Sequence, residues 1–300
     1  MKLLFVVNPI SGGVDKEPFL KKASVLCKKY GHEYYVFKTT GKDDGVNLLK
    51  VLVKINPDKV ISVGGDGTTL FTALALMDSS YPMGIIPMGS ANGMATELFV
   101  NPDPVEALKD IIMSNLFVGL DLVKVNNKHY SVHIGDVGVN AQIVNNYEKD
   151  PQRGMITYAK YFLEQLKQLN RFPVTVIANG REFKDESYMV AICNARKFGT
   201  GIPLNLEGNP LDGKFEIVLI KRIDATSLIK SGLSGFDESF YDSQSSDVIS
   251  TDKAKIIFDK PRLLQLDGEV IGEYKELNIE IVKSAVRFIT HNNNKYLNTF

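Results

Sequence analysis

The chain has 300 residues, with 35 Lys+Arg set against 35 Asp+Glu and a formal net charge of zero. That balance removes any global argument for nucleic acid as a partner or for a membrane protein held by charge alone. The length exceeds one ordinary hydrophobic core, so two domains are expected, and no apolar run is long enough to span a bilayer.

In chain order, residues 3–7 form a continuous apolar run, as for a parallel strand covered on both faces, and it ends in Asn8-Pro9-Ile10-Ser11-Gly12-Gly13. The N-terminal segment turns too soon for a signal peptide. A helix is predicted over about residues 18–30, with Phe19, Leu20, Ala23, Leu26 and Cys27 on one face, followed by a strand at 34–37 and the turn Thr39-Thr40-Gly41. Cys27 and Cys193 lack metal spacing, which fits reduced thiols in a cytoplasmic protein. The histidines at 32, 129, 133 and 291 show no metal-ligand pattern either.

After a helix at about 45–54 comes Ile61-Ser62-Val63-Gly64-Gly65-Asp66-Gly67-Thr68-Thr69, a buried strand running through glycines into a helix. Glycines there let backbone N–H groups approach a ligand, and free N–H groups at a helix start attract anions. A carboxylate beside a phosphate is repulsive unless a cation bridges them, so Asp66 points to Mg²⁺ or to proton transfer. No lysine follows Gly67, which excludes a Walker A loop, and Leu70 stands where a dinucleotide fingerprint needs its third glycine. A short strand at 83–88 then ends in Gly89-Ser90-Ala91-Asn92, before a short helix through Leu98; Pro102 and Pro104 punctuate the next turn. The β-α alternation predicts a Rossmann-like parallel sheet, with these four glycine- and hydroxyl-rich turns gathered at the strand C-ends.

From about Leu120 the pattern changes to short strands, at 121–125, 129–134, 174–178, 189–194, 214–220, 255–258, 263–266, 277–282 and 285–289. These predict an antiparallel β-sandwich. A helix at about 154–169 carries Tyr158, Tyr161, Phe162, Leu166 and Leu169 on one side, as for packing against the sheet, and residues 231–250 are irregular, a lid or a long loop. The expected domains are 1–121, joined by a tail at 290–300, and 122–289. Asp267-Gly268-Glu269 lies between apolar runs, which is a hairpin signal in its own right, and Asp212-Gly213 is equally a turn.

With these turns in view, the sequence resembles the diacylglycerol kinase catalytic-domain family, which includes soluble bacterial lipid kinases and sphingosine and ceramide kinases. Six segments carry the resemblance in order: Asn8-Pro9-Ile10-Ser11-Gly12, Gly64-Gly65-Asp66-Gly67-Thr68, Gly89-Ser90-Ala91-Asn92, Gly138-Val139-Asn140-Ala141, the 210–217 segment around Asp212, and Leu266-Asp267-Gly268-Glu269. The resemblance implies an α/β nucleotide domain and a β-sandwich lipid-substrate domain of the NAD-kinase and diacylglycerol-kinase type, with the active site between them. It implies ATP and Mg²⁺ as cofactors and a lipid alcohol such as diacylglycerol as acceptor, phosphorylated at the inner face of the membrane by a cytoplasmic, peripheral enzyme of lipid metabolism that leaves room for a homodimer.

By that likeness Glu269 is the general base, with Asp66 the alternative. Asn8, Ser11, Thr40, Gly64, Gly65, Asp66, Gly67, Thr68, Gly89, Ser90 and Asn92 hold the nucleotide. Asp212 binds a structural Mg²⁺ with help from Asn209 and Lys214, mostly through backbone carbonyls and water. Gly93 replaces the family's second acidic residue, and Phe198-Gly199-Thr200-Gly201 replaces a more glycine-rich run. NAD kinase shares the Gly-Gly-Asp-Gly-Thr loop, but no Asn-Glu dipeptide, its nucleoside-binding pair, occurs here. A nucleotide-binding protein without turnover is the other alternative; the presence of both Asp66 and Glu269 argues against it. Phe236 or Phe240 is a candidate membrane contact.

Overall fold

A computed structural model describes residues 1–138, 170–197, 204–222 and 246–299. The chain divides into two compact units, Met1–Asp121 with Lys283–Phe300, and Leu122–Val282. The return to the first unit thus begins at Lys283, ahead of the expected position 290. The helix expected at 154–169, the residues Val139, Asn140 and Ala141, the run 198–201, and Phe236 and Phe240 all lie outside the described residues.

In the first unit, strands β1 (Lys2–Val7), β2 (Glu33–Lys38), β3 (Lys59–Gly64) and β4 (Met83–Pro87) are parallel, in the order β4-β3-β1-β2. Helices α1 (Glu17–Lys29), α2 (Asp44–Ile55) and α3 (Asp66–Leu76) make the crossovers. Leu3, Phe5, Val7, Ile61, Val63 and Ile86 are buried against Phe19, Leu20 and Ala23 of α1, which is why the strands read as unbroken apolar runs. Helix α4 (Gly93–Glu97) follows β4.

Helix α5 (Pro104–Met113) stands where only a proline turn was expected. Asp103 caps it, its Oδ1 accepting from Val105 N at 2.8 Å and Glu106 N at 2.9 Å, and Pro104 occupies the first helical position, where its missing N–H costs nothing. The buried Lys59 ammonium closes the other end, donating to Ile111 O and Ser114 O at 2.8 Å each. Burial pulls its pKa below the usual lysine value, with the Asp58 charge opposing.

The second unit is antiparallel. Strands β5 (Leu116–Val125) and β14 (Glu269–Thr290) each cross the unit boundary. Between them in sequence lie β6 (His129–Ser131), β7 (Ile134–Gly138), β8 (Phe172–Ala178), β9 (Arg181–Ser187), β10 (Met189–Cys193), β11 (Phe215–Ile220), β12 (Ser246–Thr251) and β13 (Lys253–Leu266). The order is β12-β11-β10-β7-β13-β14, with the β8–β9 hairpin on β13. Two expected strands at 255–258 and 263–266 are one, β13, whose pairing register with β14 shifts between Ile257 and Arg262. Its first half pairs with β8 and its second with β7, on either side of the shift. Pro261, with no N–H to give, sits at the shift. Residues 277–282 and 285–289 likewise belong to the single strand β14, and Ser246–Thr251, expected to be largely irregular, is strand β12. Val137, Val174, Ile192, Ile217, Ile256 and Leu277 belong to the shared core.

Candidate active site

The first unit brings three of the four strand-end turns into one interlocked cradle. After β1, Asn8 N donates to Val63 O at 3.2 Å and its Oδ1 accepts from Ile10 N at 3.2 Å, turning the chain back over the sheet. Ser11 Oγ then accepts from Gly65 N at 3.0 Å, tying the first turn to the Gly-Gly-Asp-Gly-Thr loop. After β4, Met88 N donates to Gly64 O at 2.8 Å, and Gly89 N donates to Asn92 Oδ1 at 2.7 Å while Asn92 Nδ2 returns a bond to Gly89 O at 3.1 Å.

The glycines are required by close approach. A Cβ on Gly12, whose φ is +64°, would lie 2.8 Å from Gly89 C, and one on Gly65 would lie 3.1 Å from Gly89 Cα. A Cβ on Gly64 would collide with Thr68 Oγ1. That hydroxyl is buried and has no hydrogen-bond partner among the described residues.

Asp66 opens α3, yet its carboxylate serves α4. Oδ2 accepts from Gly93 N and Oδ1 from Met94 N, both at 2.9 Å, so the acid satisfies two orphan donors of the neighbouring helix. Gly93, the departure from the family pattern, contributes its backbone N–H instead of a side chain. Each carboxylate oxygen keeps a lone pair. At α3 the first intrahelical bond is Thr69 N to Gly65 O at 3.0 Å, which leaves the N–H groups of Asp66, Gly67 and Thr68 ahead of it. Asn92 adopts the left-handed conformation (φ 55°) before α4, and Ser90 is exposed.

Thr40 is placed differently. Its N–H and hydroxyl both donate to Asp44 at 2.9 Å, and Gly41 N donates to the same carboxylate at 2.7 Å, forming a closed turn on the start of α2. The Thr40 N–H bond, then the other bonds of that turn, hold the Asp44 pKa below the usual carboxylate value.

A residue that motif reading missed lies under the cradle. Lys16 is buried, and its ammonium donates to Ser11 O and, at 2.7 Å, to Val14 O. Burial pulls its pKa down, with Asp15 opposing. Its position just before a helix, among surface-type lysines, carries no sequence signal.

In the second unit, Asp267 and Gly268 form the two-residue connection between β13 and β14, with φ values of 50° and 87°. The Asp267 carboxylate accepts from Ser131 Oγ at 2.6 Å and from Val132, His133 and Ile134 N–H at 2.8, 3.0 and 3.1 Å. Gly268 N donates to Gln265 Oε1 at 2.8 Å, and buried Gln265 in turn donates to Asp136. The hairpin reading of this motif is therefore realised, and on it Glu269, opposite Leu266, is exposed to solvent. Of the Gly138 segment, Gly138 itself closes β7 opposite Met189.

The Asp212 loop is open to solvent. Asp212 is exposed, and its Oδ1 accepts from Lys214 N at 2.9 Å, while Asn209 Oδ1 accepts from Leu211 N at 3.1 Å. Among the described residues no group of three His, Cys, Asp or Glu side chains could hold a metal. The Lys214 ammonium cannot ligate, so only its carbonyl qualifies. Mg²⁺ keeps several waters and takes one or two carboxylates, which this donor set fits. Next to it Glu216 is buried, and desolvation first of all, with the charges of Asp212 and Glu207 adding and a Ser250 hydrogen bond opposing, pushes its pKa up to about 7. A cation held at Asp212 would relieve that excess of negative charge.

An α/β unit with a glycine cradle over its strand ends, continued by an antiparallel β unit bearing a carboxylate hairpin, defines a two-part class of protein. The model of the diacylglycerol kinase catalytic domain matches residues 2–125, and that of the YegS C-terminal NAD kinase beta sandwich-like domain matches residues 131–290. The chain belongs to the diacylglycerol kinase catalytic-domain family, whose character is that of lipid-kinase-type phosphotransferases. It is 26% identical over 284 residues to a protein of Klebsiella pneumoniae described as "Probable lipid kinase YegS-like", covering 93% of each chain. It is 22% identical over 274 residues to the diacylglycerol kinase of Bacillus subtilis, covering 89% of each. A diacylglycerol kinase structure from Bacillus anthracis superposes with a TM-score of 0.73 at 19% identity, covering 98% of each chain, a likeness of fold. The expected fold class, α/β followed by a β-sandwich, is borne out.

Proposed function

We propose that this protein transfers the γ-phosphate of ATP to the hydroxyl of a lipid such as diacylglycerol. The observation that carries the reading is the cradle: three backbone turns held within van der Waals contact by Gly12, Gly65 and Gly89, with free N–H groups at the start of α3. Such a concavity is suited to phosphates. Asp66 keeps the α4 turn in register, and its remaining lone pairs can accept from water on a nucleotide-bound Mg²⁺. When bound, Mg²⁺ neutralises phosphate charge. Asp212, with the carbonyls of Asn209 and Lys214, suits a second, structural Mg²⁺.

In the transfer, the acceptor oxygen forms a bond to the γ-phosphorus as the bond to the β-bridging oxygen breaks, and ADP leaves with that electron pair. The hydroxyl proton passes to the Glu269 carboxylate and then to solvent. An alcohol is too weak an acid to ionise beforehand, so the base acts as the new bond forms. The exposure of Glu269 suits a group that must meet an incoming lipid. Among the described residues no helix is long and apolar enough to cross a membrane. An ATP-dependent reaction on a lipid acceptor suits an enzyme of the cytoplasm that visits the inner membrane face.

The test is transfer of label from γ-labelled ATP into diacylglycerol, phosphatidylglycerol, sphingoid bases and polyprenols, with NAD in parallel. Labelled lipid is expected. Label in NAD alone, or in neither, overturns the reading.

A further inference from the structure

The core side of α2 is provided by Leu48 and Leu52, and a flank of its solvent side carries an apolar stripe: Val46 is 58% exposed, Leu49 51% and Val53 81%. Their i, i+3, i+7 spacing puts them on one face. Helix α3 packs beside α2, and its Leu74 is 37% exposed. Other apolar side chains of this unit are exposed too, Ile10, Val14, Val25, Val36 and Met113 among them, but on other elements, whereas three on one face of one helix make a stripe, and such a stripe marks a contact surface.

The charges in this stripe select its occupant. Lys50 and Lys54 stand one turn apart beside the apolar residues, both exposed and without an ion pair among the described residues. Residues 45–57 contain these two lysines and no carboxylate. Asp44, at the helix start, is already taken by Thr40 and Gly41. Packing of two copies face to face would set lysine against lysine with nothing to neutralise them. A bilayer with anionic headgroups accepts both features, with apolar side chains entering the headgroup boundary and ammonium groups meeting phosphates.

We propose that the outer face of α2 is the surface by which this protein docks on anionic membranes. The proposal deepens the lipid-kinase reading and rests on it for its purpose, since α2 begins at the same sheet edge as the glycine cradle. The test uses the full-length protein in vesicle co-sedimentation, comparing phosphatidylcholine with mixed phosphatidylcholine–phosphatidylglycerol vesicles. Wild type is expected to bind the mixed vesicles, and L49E/V53E to bind roughly tenfold more weakly. K50Q/K54Q is expected to lose the preference for anionic lipid, which in wild type falls with salt. Both double variants are expected to keep wild-type activity on a monomeric short-chain diacylglycerol without vesicles.

Absence of wild-type binding, or binding by L49E/V53E equal to wild type, overturns the proposal. A wild-type dimer in sedimentation velocity that L49E/V53E converts to monomer also overturns it, by assigning the face to a second copy. If no lipid alcohol is phosphorylated in solution, the function reading fails, while the vesicle comparison still decides the surface.

Discussion

Asp66 and Glu269 divide along a physical line, one carboxylate engaged and the other open. Asp66 holds two backbone N–H groups of α4 at 2.9 Å, so its loss frees the start of that helix and the Gly89–Asn92 turn with it. Asp66→Ala is expected to lower stability by about 1.5–3 kcal/mol, the range for hydrogen bonds to a charged group, and to abolish binding of a fluorescent ATP analogue. Glu269 is exposed on its hairpin, so Glu269→Gln is expected to leave the melting temperature and nucleotide binding unchanged while lowering kcat by roughly 10²–10⁴. Near-normal kcat in Glu269→Gln would pass the role of base to Asp66. Lys16 acts on the cradle from below, and Lys16→Met strands two carbonyls of the first turn. Its expected signature is a raised KM for ATP with a smaller change in kcat, partly rescued in Lys16→Arg, read from initial rates against ATP concentration.

At the level of elements, the Asp267–Gly268 turn combines a local preference with a long-range anchor. Asp-Gly favours the two positive φ angles, and the Asp267 carboxylate also fastens residues 131–134, more than a hundred positions away, by four hydrogen bonds. Asp267→Ala is expected to cost about 2–4 kcal/mol in denaturant unfolding, because it strands a hydroxyl and three N–H groups at once. The same variant should lower kcat by misplacing Glu269, so a stability loss without a kcat loss would count against the role given to this hairpin. The turn was legible in the letters, whereas its anchor was not, since nothing local marks Ser131 as its partner. Helix α5 shows the converse. Asp103 and Pro104 are a cap and a first helical position, and they imitate a proline turn until Leu108, Ile111 and Ile112 are counted with them.

For the molecule as a whole, parallel strands, crossover helices and glycine turns were legible because each is written in a local period or a local turn chemistry. The first unit's discontinuity was only partly so. The chain leaves that unit after Asp121 and returns at Lys283, and both crossings fall inside strands, β5 and β14, whose alternation does not change where the unit does. The returning segment then closes on α4. Tyr296 is buried with its hydroxyl donating to buried Glu97, His291 Nε2 bonds Phe99 O at 2.7 Å, and the rings of Phe99 and Tyr296 meet edge-on at 5.7 Å. Helix α4 is thus held at its start by Asp66 and at its end by the C-terminal segment, which couples the tail to the glycine cradle through five residues. Tyr296→Phe keeps the ring contact and removes only the bond to the Glu97 carboxylate, and is expected to cost about 1–3 kcal/mol of stability. Because the lost bond anchors α4, nucleotide affinity should fall with it, as measured by titration with a fluorescent ATP analogue well below the melting temperature. A variant with lowered stability and unchanged affinity would show that the tail supports the fold without reaching the cradle.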